Sequence, residues 1–191
     1  MAHSDKDEQG LDADGLVVQH YDSTVLVVLP PAGFGEQILR YARSSLYNVH
    51  VGTYSVATVV DELIRGRLQD EFMVDGPLSG ADMANYSGIL IAGGEGEPIL
   101  AQDEGVLALV RAADADQKLI AGWGNALAVL AKAGVIKRHK VTGAPDFRDL
   151  ATGAGAKYTG RQIEASRHVI TARDEGAGMR FGQALAEQVR I

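Results

Sequence analysis

Residues 118–135 read KLIAGWGNALAVLAKAGV, and this stretch decides how the chain is read. A short apolar run, Leu119 to Ala121, meets a Gly-X-Gly turn at Gly122-Trp123-Gly124. An Ala/Leu-rich segment follows at helical spacing and stops at Gly134. The pattern predicts strand, sharp turn and helix, the geometry of a nucleophile elbow when a Ser or Cys sits in the bend. The bend is expected at Gly122 and Trp123, and neither is a nucleophile. The frame of a catalytic turn is therefore predicted without its reactive atom.

Working outward, Gly88 to Ala92 (GILIA) reads as a buried strand ending in Gly93-Gly94. Asp103 to Ala113 is helical, with Val106, Leu107, Leu109 and Val110 as its apolar stripe. Thr24 to Leu29 (TVLVVL) is β-branched and continuously apolar, as for a parallel strand buried on both faces. A loop from Pro30 to Gly35, a helix from Glu36 to Leu46 and a strand from Asn48 to Tyr54 complete a β-α-β unit. Val56 to Arg67 fits either a short helix or a hairpin arm; Glu71 to Val74 is a short strand and Asp82 to Tyr86 a single helical turn. Beyond the central stretch, strands are expected at Lys140–Thr142, Ala156–Tyr158 and Val169–Ala172. Asp146 is placed to cap a helix running through Ala151, and Ala177 to Val189 closes the chain as an amphipathic helix. Repeated β-α alternation predicts an α/β fold, a flavodoxin-like three-layer sandwich with a mostly parallel central sheet and helices on both faces. Residues 1–15 lack periodicity and are expected to form a mobile tail, leaving 16–191 as one domain.

The chain of 191 residues is 46% hydrophobic and 23% charged, the proportions of a soluble globule. Its net charge of -7 argues against a nucleic-acid partner. The absence of cysteine excludes disulfides, zinc-thiolate sites and thiol catalysis. No apolar run reaches the ~20 residues that span a bilayer, so no membrane partner is expected. The polar, acidic N-terminus is unlike a signal peptide, and a cytoplasmic location is expected.

Three landmarks now coincide: the strand ending in Gly93-Gly94, the strand-turn-helix of 118–135 continuing as AGVIKRHKVT, and the closing motif ITARDEGAGMRFGQAL from Ile170. Together they resemble the ThiJ/PfpI superfamily, the DJ-one group within the class I glutamine-amidotransferase-like fold, from Thr24 to Val189. Members of that family usually carry a Glu after the first strand, a Cys at the elbow and a His beside or opposite it. By this resemblance the Cys falls on Gly122, the neighbouring His on Trp123, and the His of the other branch near Ala144. The family Glu falls near Phe34 or Gly35, with Glu36 one or two positions away. The resemblance thus implies the fold and withholds the family's thiol-dependent glyoxalase, deglycase and protease chemistry, as in a pseudoenzyme.

If the pocket survives, backbone amides at Gly93, Gly94, Gly122 and Gly124 are candidates to bind an anion or carbonyl oxygen, or merely permit tight turns. Trp123 either plugs the pocket or, with Phe34, walls it; Asn125 either donates to an oxyanion or caps the helix. Glu36 and Asp146 are the candidate acid and base, against ordinary first-turn and N-cap roles, and Glu95 is a candidate ligand contact. Arg173 matches an Arg recurrent in the family's closing motif. His20, His50, His139 and His168 show no metal-ligand spacing, so neither metal nor cofactor is expected. The readings carried forward are a binder of a small metabolite or partner at the emptied elbow, a non-covalent hydratase, lyase or isomerase using Glu36 with a second carboxylate, and a structural homodimer. Two carboxyl groups converging on an enclosed cavity favour the enzyme. A cavity filled by Trp123 favours the structural role, and an open cavity with one carboxylate or none favours the binder.

Overall fold

The computed structural model describes residues 10–11, 17–18, 21–58, 63–94 and 97–189. Of the N-terminal stretch, β1 (Gly10–Leu11) pairs antiparallel with β2 (Val17–Val18). The rest of the expected tail lies outside the described residues, and so does Glu95.

The apolar run at the front of the chain forms β3 (Ser23–Leu29), and its alternation sets the layering. Val25, Val27 and Leu29 point to one face of the sheet, and Leu26 and Val28 to the other. Helix α1 (Glu36–Tyr47) covers the first face with Ile38, Leu39, Ala42 and Leu46. It leads to β4 (Val51–Ala57), which pairs parallel to β3. The ambiguous region resolves as a hairpin arm: β5 (Leu63–Arg65) pairs antiparallel with β6 (Glu71–Met73). A two-residue strand, β7 (Gly76–Pro77), then adds to the edge of β4. The predicted helical turn is a 3-10 turn at Met83–Asn85, capped by the Asp82 carboxylate accepting from the Ala84 N–H at 2.9 Å.

Next come β8 (Gly88–Ile91), α2 (Glu97–Leu100) and α3 (Glu104–Ala115). Asp103 caps α3, accepting from the Val106 N–H at 3.0 Å, so the predicted first helical residue is its N-cap. The deciding stretch forms β9 (Leu119–Trp123), a 3-10 turn at Gly124–Ala126 and α4 (Leu127–Ala133), which ends on left-handed Gly134. The remainder is β10 (Lys140–Val141), α5 (Arg148–Gly153), β11 (Lys157–Tyr158), β12 (Ile163–Ser166), β13 (Val169–Ala172) and α6 (Gly178–Gln188).

The central sheet runs β12-β13-β9-β8-β3-β4-β7. Only the β12–β13 pair is antiparallel. Helices α1 and α6 pack on one face, and residues of α2 to α5 join the core on the other. This is the expected three-layer α/β sandwich. All parallel strands point the same way, so their C-terminal ends gather at one edge, where ligand sites of open α/β sheets form.

Candidate functional site

Strand β9 continues one residue past the expected bend. Gly122 lies within it, paired with Ile91 on one side and Thr171 on the other, and is buried. A Cβ at Gly122 would meet the Ala126 Cβ at 3.0 Å and the Ile91 carbonyl oxygen at 3.2 Å. The corner is Gly124, with φ of 57° in the left-handed region. This is the strained strand-to-helix position that a nucleophile occupies on such turns. The emptied elbow position is thus Gly124, two residues after Gly122, and Asn125 follows it. Nothing stands within 4 Å of an added Cβ there except the Arg173 carbonyl oxygen at 3.9 Å.

Trp123, the last strand residue, shares the side of Leu119 and Ala121 and buries its indole under α1 and α6. It packs edge-on against Phe181 with ring centroids 6.0 Å apart and is 3% exposed. Its Nε1 has no hydrogen-bond partner among the described residues. The ring therefore fills core, and a cleft of about 420 Å³ stays open above the bend. Gly33, Gly93 and Gly94 line it from the ends of β3 and β8, and Trp123, Gly124 and Asn125 form its floor. Arg67, Ala144, Arg173, Asp174, Glu175 and Gly176 complete the wall. Gly93 and Gly94 must be glycine for close backbone approach. An added Cβ would lie 1.9 Å from the Trp123 carbonyl oxygen or 2.2 Å from that of Gly33. The Asn125 amide donates to the Gly94 carbonyl at 3.3 Å, tying the two sides of the floor.

Glu36 is where the sequence places it, at the first turn of α1, but its carboxyl group faces away from the cleft. It is 4% exposed, and Oε1 accepts from the Leu68 N–H at 2.7 Å. Its Oε2 is buried without a partner among the described residues. Gly66 lies directly against this carboxyl group, so any Cβ there would overlap it. The Arg67 N–H donates to the Phe34 carbonyl at 3.0 Å, and the Gly33 N–H to the Arg65 carbonyl at 2.9 Å. Glu36 thus props the loop after β5 from behind. That loop carries Arg67 across to Glu175, with Nη2 3.0 Å from Oε1.

Two carboxylates, Glu175 and Asp174, line the cleft. Glu175 is the one that reaches the loop after β3. Its Cδ lies 2.9 Å from where a Gly35 Cβ would be, so it fills the space of a side chain at position 35. The neighbouring Asp174 accepts from the Gly176 N–H at 3.0 Å and from Arg173 Nε at 2.7 Å. That hydrogen bond, with the Asp174 charge, raises the Arg173 pKa and keeps the guanidinium charged.

The structure therefore gathers Gly93, Gly94, Trp123, Gly124 and Asn125 at the cleft, with Arg173. It does not bring in Gly122, a strand residue, or Phe34, which is fully buried edge-on to Phe72. Nor does it pair Glu36 with Asp146, which is exposed in the 3-10 turn Pro145–Phe147, outside the cleft lining, and makes no capping bond. Sequence reasoning missed Arg67, Asp174 and Glu175. The available signal was the Arg-Asp-Glu-Gly run at 173–176, which stands between a strand and a closing helix. A larger groove of about 800 Å³ lies between α3 and residues 77–83. Its carboxylates, Asp82 and Asp103, are engaged as helix caps.

A parallel sheet flanked by helices, with a strand-bend-helix corner at its C-terminal edge, defines the class. The profile of the DJ-1/PfpI family matches residues 24–188, and the chain belongs to that family. Solved structures agree on the fold. A ThiJ/PfpI domain protein from Brachyspira murdochii is 18% identical over 87% of this chain and 96% of its own, with a TM-score of 0.83. Drosophila melanogaster DJ-1beta is 21% identical over 87% and 90%, with a TM-score of 0.79. Schizosaccharomyces pombe DJ-1 is 21% identical over 87% and 91%, with a TM-score of 0.78. No curated protein matches the chain by sequence. This member has no cysteine, and no helix among the described residues is long and apolar enough to cross a membrane.

Proposed function

We infer that the protein binds a small polar metabolite bearing a carboxylate or carbonyl oxygen in the elbow cleft, without thiol chemistry. The observation that carries this reading is the open space over Gly124, where the indole of Trp123 has turned into the core. Donors are in place around it. Arg67 uses one contact to Glu175, and Arg173 uses Nε on Asp174, which leaves guanidinium N–H groups for a ligand. Both carboxylates of the wall are held by arginines, which suits selective binding more than proton transfer. A thermal-shift series with short carboxylates and 2-oxo acids tests the reading. A saturable rise in Tm is expected, moved to about tenfold higher ligand concentration by Arg67→Ala and lost on Ala144→Phe, which fills the cleft from its rim. No saturable shift with any of them, or a shift that survives Ala144→Phe, overturns it.

A second reading rests on Glu175 standing in the space of a residue-35 side chain, near where the family acid falls. If the cleft turns a substrate over, Glu175 is the group placed to exchange the proton, in place of Glu36. Glu175→Gln would then abolish turnover while Glu36→Gln lowers it only through the loop.

A further inference from the structure

At the opposite edge of the sheet, before the first residues of β9 and β13, lies a second cleft of about 440 Å³. It is built from Asp114 at the end of α3, Lys137, Arg138 and His139 after α4, and Arg167 and His168 in the β12–β13 turn. The elbow cleft pairs its arginines with carboxylates. Here the side chains of Lys137, Arg138 and Arg167 have no hydrogen-bond or ion-pair partner among the described residues. That is three unmatched cations on a chain of net charge -7.

Behind them sit two imidazoles, His139 and His168, 5% and 7% exposed, with ring centroids 5.5 Å apart. Their hydrogen bonds fix the tautomers of the neutral rings. The Ser166 carbonyl can only accept, so His139 Nδ1 donates to it at 2.8 Å and Nε2 keeps a lone pair. The Asp114 carboxylate likewise accepts a hydrogen bond from the His168 Nε2–H at 2.8 Å. In the neutral ring His168 Nδ1 is then a lone-pair acceptor, sealed from the cleft and without a partner among the described residues. Of the five non-glycine residues with positive φ among the described residues, three line this one cleft: Gln117, Arg138 and Arg167. Such backbone costs energy and persists where the surroundings fix it.

We propose that this cleft is a binding site for a phosphate group, as inorganic phosphate or a small phosphomonoester. The ligand must carry negative oxygens for two guanidiniums and an ammonium, and phosphate matches the guanidinium fork. A proton on the ligand would suit the His139 Nε2 lone pair, the one of the two that is not sealed from solvent. Near neutral pH HPO4²⁻ has both; a phosphomonoester, with its second pKa at about 6, is mostly the unprotonated dianion, and sulfate has only the first. A divalent metal is disfavoured by the three cations and by Asp114, which already holds His168. No group of three or more His, Cys, Asp or Glu among the described residues is arranged to hold a metal ion.

The test is a titration followed by imidazole and amide NMR at constant ionic strength, with inorganic phosphate, glycerol 3-phosphate and sulfate as probes. Saturable shifts are expected at His139 and His168 and at the amides around 114–117 and 137–139. Phosphate or its monoester should bind tighter than sulfate, and the tighter of the two identifies the source. Arg138→Ala and Arg167→Ala should each weaken binding about tenfold, about what one charge-assisted hydrogen bond contributes. Arg67→Ala in the elbow cleft should leave it unchanged. The proposal is overturned by shifts linear in added salt and equal for all three anions. It is also overturned by undiminished binding in the folded Arg138→Ala/Arg167→Ala double variant, or by a response to Zn²⁺ and none to phosphate.

Discussion

The floor and the wall of the elbow cleft are built by different forces. The floor is backbone against backbone, with Gly93 on the Trp123 carbonyl, Gly94 on Gly33, and an indole buried beneath. The wall is a short hairpin loop held from behind by one buried carboxylate and tied across the cleft by one half-exposed ion pair. Close packing resists small changes strongly, while exposed ion pairs contribute little. The contrast teaches that the floor fixes the fold and the wall sets what the cleft accepts. Substitutions at the floor should therefore register as stability, and those at the wall as binding.

The largest expected effect is at the floor. Gly93→Ala puts a methyl group 1.9 Å from the Trp123 carbonyl oxygen, and neither partner is a flexible side-chain end. Relief requires parting the ends of β8 and β9, so a loss of about 3 kcal/mol or more is expected in urea unfolding. Stability close to that of the natural chain would break the contrast at its strongest point.

Next come two cysteine substitutions, informative because the chain has no thiol of its own. Gly122→Cys crowds Ala126 and Ile91 inside the sheet and should cost about 1–3 kcal/mol, with a thiol protected from alkylation in the native state. Gly124→Cys has room but must hold φ near 57°, at a cost of about 1–2 kcal/mol, and its thiol should alkylate without unfolding. Equal labelling rates at the two positions would show that the corner is not at Gly124.

This pair of glycines also marks how far the sequence could be read. The buried strands were legible because β-branched apolar runs such as Val25 to Leu29 have few alternatives. So was α1, expected over Glu36 to Leu46 and found over Glu36–Tyr47. The corner was misplaced because Gly122-Trp123-Gly124 offers two glycines, and only the ladder to Ile91 and Thr171 shows that the first is still in the sheet. Strand β12 escaped because Ile163-Glu-Ala-Ser has a single large apolar residue; its partner β13 holds it. Glu175 was illegible as the cleft acid because its neighbour Gly35 lies on another element, and no local pattern links a missing side chain to a distant carboxylate. Glu36, the candidate acid, does stand in the first turn of α1, but the direction of its carboxyl group depends on Gly66, whose missing Cβ gives that group its place.

Behind the wall, Glu36→Ala should leave the Leu68 N–H without its buried acceptor. A loss of about 1–2 kcal/mol is expected. Faster amide hydrogen exchange should be confined to residues 66–70 while the floor stays protected. Exchange that spreads to β9 would mean that wall and floor unfold together, which removes the distinction between them.

The smallest effect on stability, and the sharpest test of the contrast, is at Arg67. Its side chain is 56% exposed, and its ion pair with Glu175 is one contact at 3.0 Å, so Arg67→Ala should change stability by less than about 1 kcal/mol. Glu175 would remain on Gly35, held by packing, but without the charge that balances it. The cleft would lose a cation facing the ligand and keep its volume. Affinity for a carboxylate should then fall about tenfold or more, the weight of a charge-assisted hydrogen bond, while Tm without ligand barely moves. Arg67→Lys should restore part of the affinity through charge alone, since the ammonium lacks the guanidinium fork. If both variants instead lowered Tm by as much as Gly93→Ala, the wall would be part of the fold's foundation, and the cleft would have no side free to choose its ligand.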